Sequence, residues 1–158
     1  MSEEDSISIL RSYGLDQVLT EQDDPRLWAA ALKKYLPNPE DPNRPTLGFS
    51  FGIAACPNQD DGAKEISTSG LKILETWRFA RMGGPGLRAI RSKRKTSGSD
   101  YPIHILDISR PSVNTTQAYV HAGRSPAPLI GGGETRLWKR QEDGEWVETD
   151  QIVSSWVT

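Results

Sequence analysis

Apolar and polar residues change their spacing twice along this chain, and each change marks a different kind of element. Between Asp24 and Leu36 the apolar positions Leu27, Trp28, Ala31, Leu32 and Tyr35 recur every three or four residues, the stripe of a helix of about three turns. Asp24 offers an acceptor to the free amides of its first turn, and Pro25 suits the first helical position, where its missing N–H has no partner to lose. Lys33 and Lys34 suit the negative end of the helix dipole, and Pro37 and Pro39 stop the helix. Upstream, Ile7, Leu10, Leu15, Val18 and Leu19 predict a shorter, partly exposed helix punctuated by Gly14.

From Thr46 to Cys56 the spacing falls to two. Leu47, Phe49, Phe51 and Ile53 alternate with Gly48, Ser50, Gly52 and Ala54, a strand with one apolar face and one slim face for close packing. A polar loop, Pro57 to Gly62, follows. Leu71 to Arg81 fits either period, and the Gly83-Gly84-Pro85-Gly86 turn after it favours a strand. Residues 83–100 read as a mobile basic loop. Beyond Tyr101 the pattern is a meander: a strand at Pro102–Ile108, a turn at Pro111, and a strand at Thr115–Ala122 with Thr116, Ala118, Val120 and Ala122 inward. A Pro/Gly loop at Gly123–Gly133, a strand at Glu134–Arg140, an Asp143-Gly144 turn and returning strands at Trp146–Thr149 and Ile152–Val157 complete it. The expected fold is one α+β domain over 1–158, with one or two N-terminal helices packed on a curved antiparallel sheet.

The closing hairpin, with Leu137, Lys139, Asp143, Gly144, Trp146 and Val147, resembles the final hairpin of cystatin-like and NTF2-like α+β domains. That resemblance covers about the C-terminal third, and the helix at Asp24–Leu36 agrees with it. The strand at Thr46 and the long basic stretch depart from that family. The resemblance implies a cone-shaped pocket between helix and sheet, on a fold that hosts isomerases, dehydratases and plain binding modules alike.

Charge adds a split that the net value of −2 over 158 residues conceals. Glu3, Glu4, Asp5, Asp16, Glu21, Asp23 and Asp24 face a single Arg11 in the acidic segment 1–24. Lys72, Arg78, Arg81, Arg88, Arg91, Lys93, Arg94 and Lys95 face Glu75 alone, with Trp77 and Phe79 among them. Arg78, Arg81, Arg88, Arg91, Lys93, Arg94 and Lys95 are therefore candidates for holding a polyanion such as single-stranded nucleic acid, with aromatics to stack on bases. The plainer reading is a solvated basic segment that meets the acidic N-terminus of the same or another copy. No apolar run approaches the roughly 20 residues of a membrane span, and the acidic start is unlike a secretory signal. Cys56, the sole cysteine, reads as a buried apolar residue, which fits an intracellular location.

Acid–base chemistry has few candidates. Register places His104 with Leu106 and Ile108, and His121 with Tyr119 and Gln117. His121, Tyr119 and Asp107 are the trio that a pocket would use, while a hydrogen-bonded structural histidine is the simpler expectation for each imidazole. Two histidines and one distant cysteine give no zinc spacing, and no cofactor motif is present. Gly131-Gly132-Gly133 lacks the strand-before, helix-after context of phosphate loops and suits a hinge, bulge or close-packing point. Trp138 and Trp156, beside polar neighbours, are candidates for a protein interface. These features point first to a non-enzymatic binding or assembly module that pairs with a protein partner or with itself. Polyanion binding comes second, and a cofactor-free isomerase or dehydratase third.

Overall fold

Ser2 and Asp5 open the first helix with a reciprocal capping box: the Ser2 hydroxyl accepts from the Asp5 amide at 3.1 Å, and the Asp5 carboxylate accepts from the Ser2 amide at 3.3 Å. The structure, a computed structural model, describes residues 1–41, 43, 48–56, 62, 65–79, 90–91, 100–111 and 116–158. Helix α1 spans Glu3–Ser12 and helix α2 spans Pro25–Tyr35. Asp24 caps α2 as its position predicts, accepting from the Arg26 amide at 3.0 Å. The same carboxylate accepts from the Trp146 indole at 2.9 Å, which ties the helix start to the end of the chain.

The strands are β1 (Gly48–Ala54), β2 (Glu65–Ile66), β3 (Lys72–Phe79), β4 (Ile90–Arg91), β5 (Ile103–Ser109), β6 (Gln117–Ala127), β7 (Ile130–Arg140) and β8 (Trp146–Val157). They form one sheet in the order β2-β3-β1-β5-β6-β7-β8, with β4 also paired to β3. The α+β class and the antiparallel run from β5 to β8 agree with the sequence pattern. Within the ambiguous stretch Leu71–Arg81, Lys72–Phe79 form the strand β3. One pair departs from the expected antiparallel sheet: β1 lies parallel to β5, Phe51 beside Leu106 and Gly52 beside Asp107. Strand β1, the described part of the strand expected over Thr46–Cys56, is thus interior to the sheet.

The expected loop at Gly123–Gly133 is not a loop. Strand β6 continues to Ala127, β7 begins at Ile130, and Pro128-Leu129 form the turn. The glycines sit in the ladder because rings need their space. A Cβ on Gly133 would stand 2.8 Å from the His121 ring, and one on Gly131 would stand 3.2 Å from the Trp156 ring. Close packing, one of the expected roles for this triplet, is the one that the structure gives it. Similarly, Trp146–Thr149 and Ile152–Val157 are one strand, broken in register where bulges occur. Within the expected basic loop, Ile90–Arg91 pair with β3 and Asp100 is buried. The Gly83–Gly86 turn lies outside the described residues.

Alternation gives the sheet two distinct faces. One carries Phe49, Phe51, Ile53, Leu106, Ile108, Ala118, Val120 and Trp138, which join Leu10, Tyr13, Leu27, Trp28 and Leu32 of the helical segment in one buried cluster. Trp28 meets Phe51 with ring centroids 6.5 Å apart. Full burial of a side chain of this kind contributes about 1.5–3 kcal/mol, so this face dominates the stability. The opposite face carries Gly52, Ile105, Asp107, Tyr119, His121, Thr135 and Trp156 in matching register.

Candidate functional site

On the face away from the helices, the cross-strand pairs Asp107–His121 and His121–Thr135 place three polar residues in one row over β5, β6 and β7. All three are buried. The Thr135 hydroxyl donates to the Ser69 carbonyl at 3.0 Å, so its oxygen is left to accept from His121 Nδ1 at 3.1 Å. An indole nitrogen can only donate, so His121 Nε2 accepts from Trp156 Nε1 at 3.1 Å. His121 is thereby fixed as the neutral Nδ1–H tautomer with both nitrogens engaged. Burial pushes its pKa down to about 4, and a proton on Nε2 would face the indole donor. The Ser154 hydroxyl also donates to the Ser69 carbonyl, closing the turn between β2 and β3 over this row.

Asp107 lies across Gly52, whose missing side chain makes room for the carboxylate. Burial alone pushes its pKa up to about 7. The structure thus brings His121, Tyr119 and Asp107 onto one face, as their register predicts. It engages both nitrogens of His121 within the protein, and none of the three lines the cavities described below. A base needs a free lone pair in reach of a substrate, and His121 offers none.

A different cluster surrounds a cavity of about 640 Å³ where the end of α2 overhangs β5 to β8, on the helical face. At one end Glu148 accepts from the Tyr35 hydroxyl and pairs with Lys34 at 3.0 Å and with Arg136 at 3.4 Å. Arg136 also reaches Glu134 at 3.3 Å. Burial and then the Glu148 carboxylate raise the pKa of Tyr35. At the other end His104 pairs across the strands with Arg124, and Arg124 with Gly132. Burial and the Arg124 charge lower the pKa of His104, which leaves the imidazole neutral at neutral pH. Sequence reasoning passed over Tyr35, Glu134, Arg136 and Glu148. The available signal was charge at inward-facing positions: Glu134 and Arg136 share the alternation of core Trp138.

A smaller cavity, of about 370 Å³, opens on the other face between Ser50, Thr76, Arg78, Ile103 and Trp156. Arg78, one of the polyanion candidates, is held there by Asp100 at 3.2 Å, and both side chains are largely buried. The backbone of Arg91 pairs with Trp77, while Arg81, Arg88, Lys93, Arg94 and Lys95 lie outside the described residues. Of the two interface candidates, Trp138 is in the core at 2% exposure, and Trp156 is half-buried and stacked on His121. Cys56 is buried with a free thiol, as expected. Among the described residues no group of His, Cys, Asp and Glu is arranged to hold a metal, and no helix is long and apolar enough to cross a membrane. No protein family, curated protein or solved structure matches this chain.

Proposed function

We propose that this chain is a non-enzymatic binding and assembly module, which associates with a second copy of itself along β8. One observation carries the reading. Of the eight exposed large hydrophobic residues among those described, six (Leu129, Ile130, Val147, Ile152, Val153 and Val157) lie on β8 or on the adjacent β6–β7 tip. Clustering of this kind marks an interaction surface, whereas scattered exposed aliphatics do not. Strand β8 ends the strand order, so among the described residues its outer edge has no neighbour in the sheet. It carries neither lysine nor proline, the residues that commonly protect such edges.

The occupant that fits is the same strand, turned antiparallel about a two-fold axis. Bulges break the ladder between Glu148 and Ser154, so side chains rather than a continuous ladder make the central contact. An axis between Ile152 and Val153 sets each beside the other's copy and keeps the two exposed Asp150 carboxylates apart. The segregated charge of segments 1–24 and 72–95 adds attraction between copies.

We also read the architecture as cystatin-like or NTF2-like, with the helices on a curved sheet. The shared core, the Ser69 bridge to Thr135 and Ser154, and the cavity beneath α2 support that reading. Sedimentation at low salt over a wide concentration range tests the assembly. Association is expected in the wild type, and its loss in an Ile152→Glu, Val153→Glu variant; a strict monomer at the highest concentration refutes it.

A further inference from the structure

We infer that the cavity between the end of α2 and strands β5 to β8 binds a small organic anion, whose carboxylate or phosphate is held by Arg124. The two ends of the cavity differ in what their charges have left to give. At the Tyr35 end, Arg136 is shared between Glu134 and Glu148, and Glu148 also takes Lys34 and the Tyr35 hydroxyl. That end is neutralised from within and forms a fixed wall. At the far end Arg124 has no ion-pair partner among the described residues, and the imidazole beside it is uncharged. An arginine fork with free N–H donors matches a carboxylate or phosphate edge, and a neutral imidazole adds one more donor without repelling a cationic neighbour.

The register shows how a ligand would lie. His104, Arg124, Gly132 and Val157 form one row across four strands, and Leu106, Ala122, Glu134 and Ser155 form the next. Between the free arginine and the paired Arg136–Glu134–Glu148 wall, β6 and β7 present only Ala122 and Gly132 on this face, and Ser155, Trp156 and Val157 of β8 line the cavity beside them. A flat or short body fits there under Tyr35 and Leu36 with its anionic group towards Arg124. One free arginine suits a single carboxylate or phosphate and offers nothing to a polyphosphate chain. A cationic ligand would be repelled by it. This inference does not rest on the association proposed for β8, although Val157 belongs to both surfaces.

The chain has only two histidines, so imidazole NMR reads the site directly. His104 lies beside Arg124, with Phe49 on β1 across from its ring at 5.9 Å. His121, on the opposite face, is an internal reference. Inorganic phosphate and citrate are titrated separately, as the phosphate and carboxylate probes, into full-length protein at constant ionic strength set with chloride. Saturable shifts of the His104 ring are expected with at least one probe, with an upward move of its titration midpoint as Arg124 is neutralised. The His121 signals, which the cavity reaches only through Trp156, should move less. Arg124→Gln, an exposed change that leaves the His121 signals in place, is expected to weaken the effect roughly tenfold or more. Unchanged His104 signals with both probes into the tens of millimolar, or equal binding by Arg124→Gln, overturn the inference. Shifts of both histidines that are equal in the wild type and in Arg124→Gln overturn it as well, since they do not depend on the proposed site.

Discussion

Trp156 donates its indole N–H to His121 Nε2 at 3.1 Å with the two rings 6.2 Å apart, and this contact decides which imidazole nitrogen carries the proton. Trp156→Phe keeps the stacked ring and removes only the donor. The buried Nε2 then has no partner, so a loss of about 1–3 kcal/mol is expected in urea unfolding, with an unchanged m-value. The His121 titration midpoint should rise at the same time, because the indole no longer opposes a proton on Nε2.

The pH dependence of stability follows from two neighbours with opposite shifts. His121 stays neutral in the folded state down to about pH 4, against an ordinary value of 6.5. The unfolded chain therefore takes up a proton first as the pH falls, and the His121 contribution is lost between pH 6.5 and about 4, by roughly 3 kcal/mol. Asp107 runs the other way. Its carboxyl is held protonated up to about pH 7 against an ordinary 3.8, so its contribution is present at low pH and lost as the pH rises through that window. The two slopes oppose each other between pH 4 and 6.5, and the wild type should show a shallow profile there in denaturant titrations.

Asp107→Asn separates the two slopes. The amide keeps the shape beside Gly52 and needs no charge, so the variant should gain on the wild type as the pH rises from 4 to 8. The differential gain is at most about 4 kcal/mol, from one group displaced by some three pH units. The variant should also display the His121 limb undisguised, with stability falling as the pH drops below 6.5. A variant that tracks the wild type at every pH would show that Asp107 ionises freely in the fold.

Much of this architecture is legible in the chain, and the parts that are not share one physical cause. The α2 stripe, the Asp24 cap and the alternation of Phe49, Phe51 and Ile53 are local signals, and the structure follows them. The shared face of Asp107, Tyr119 and His121 also follows from period-two counting. Hidden from it was that Trp156, thirty-five residues further on, takes the Nε2 lone pair. The cluster of Tyr35, Arg136 and Glu148 is likewise assembled from α2, β7 and β8, and no spacing links such distant positions. Gly131 to Gly133 look like a loop for the same reason, since the rings that Gly131 and Gly133 make room for come from β8 and β6.

That requirement has a direct test. A methyl group on Gly133 would stand 2.8 Å from both the Gly123 Cα and the His121 ring, and 2.9 Å from the Ala122 carbonyl. Two of those neighbours are backbone in a paired ladder, so little can yield. Gly133→Ala is expected to cost about 1–3 kcal/mol or more in thermal or urea unfolding, despite the usual gain when alanine replaces a strand glycine. Gly132→Ala meets a first neighbour at 3.2 Å and should cost less.

Leu129 has an energetic cost without a return inside the monomer. It turns the β6–β7 hairpin at φ 65°, a conformation that suits glycine or asparagine, and its side chain is 94% exposed. Leu129→Gly should therefore raise monomer stability by about 1 kcal/mol, by removing the Cβ clash of the left-handed conformation. Glycine's greater freedom in the unfolded chain offsets part of that gain, and Leu129→Asn serves as the companion variant, since asparagine tolerates this conformation without that freedom. Because Leu129 belongs to the exposed apolar group around β8, both variants should also weaken self-association in sedimentation. Stability rising while association falls would show that the leucine is retained for contact with another molecule. If both variants lower stability, the leucine serves the fold of the hairpin itself, and the tip leaves the proposed interface.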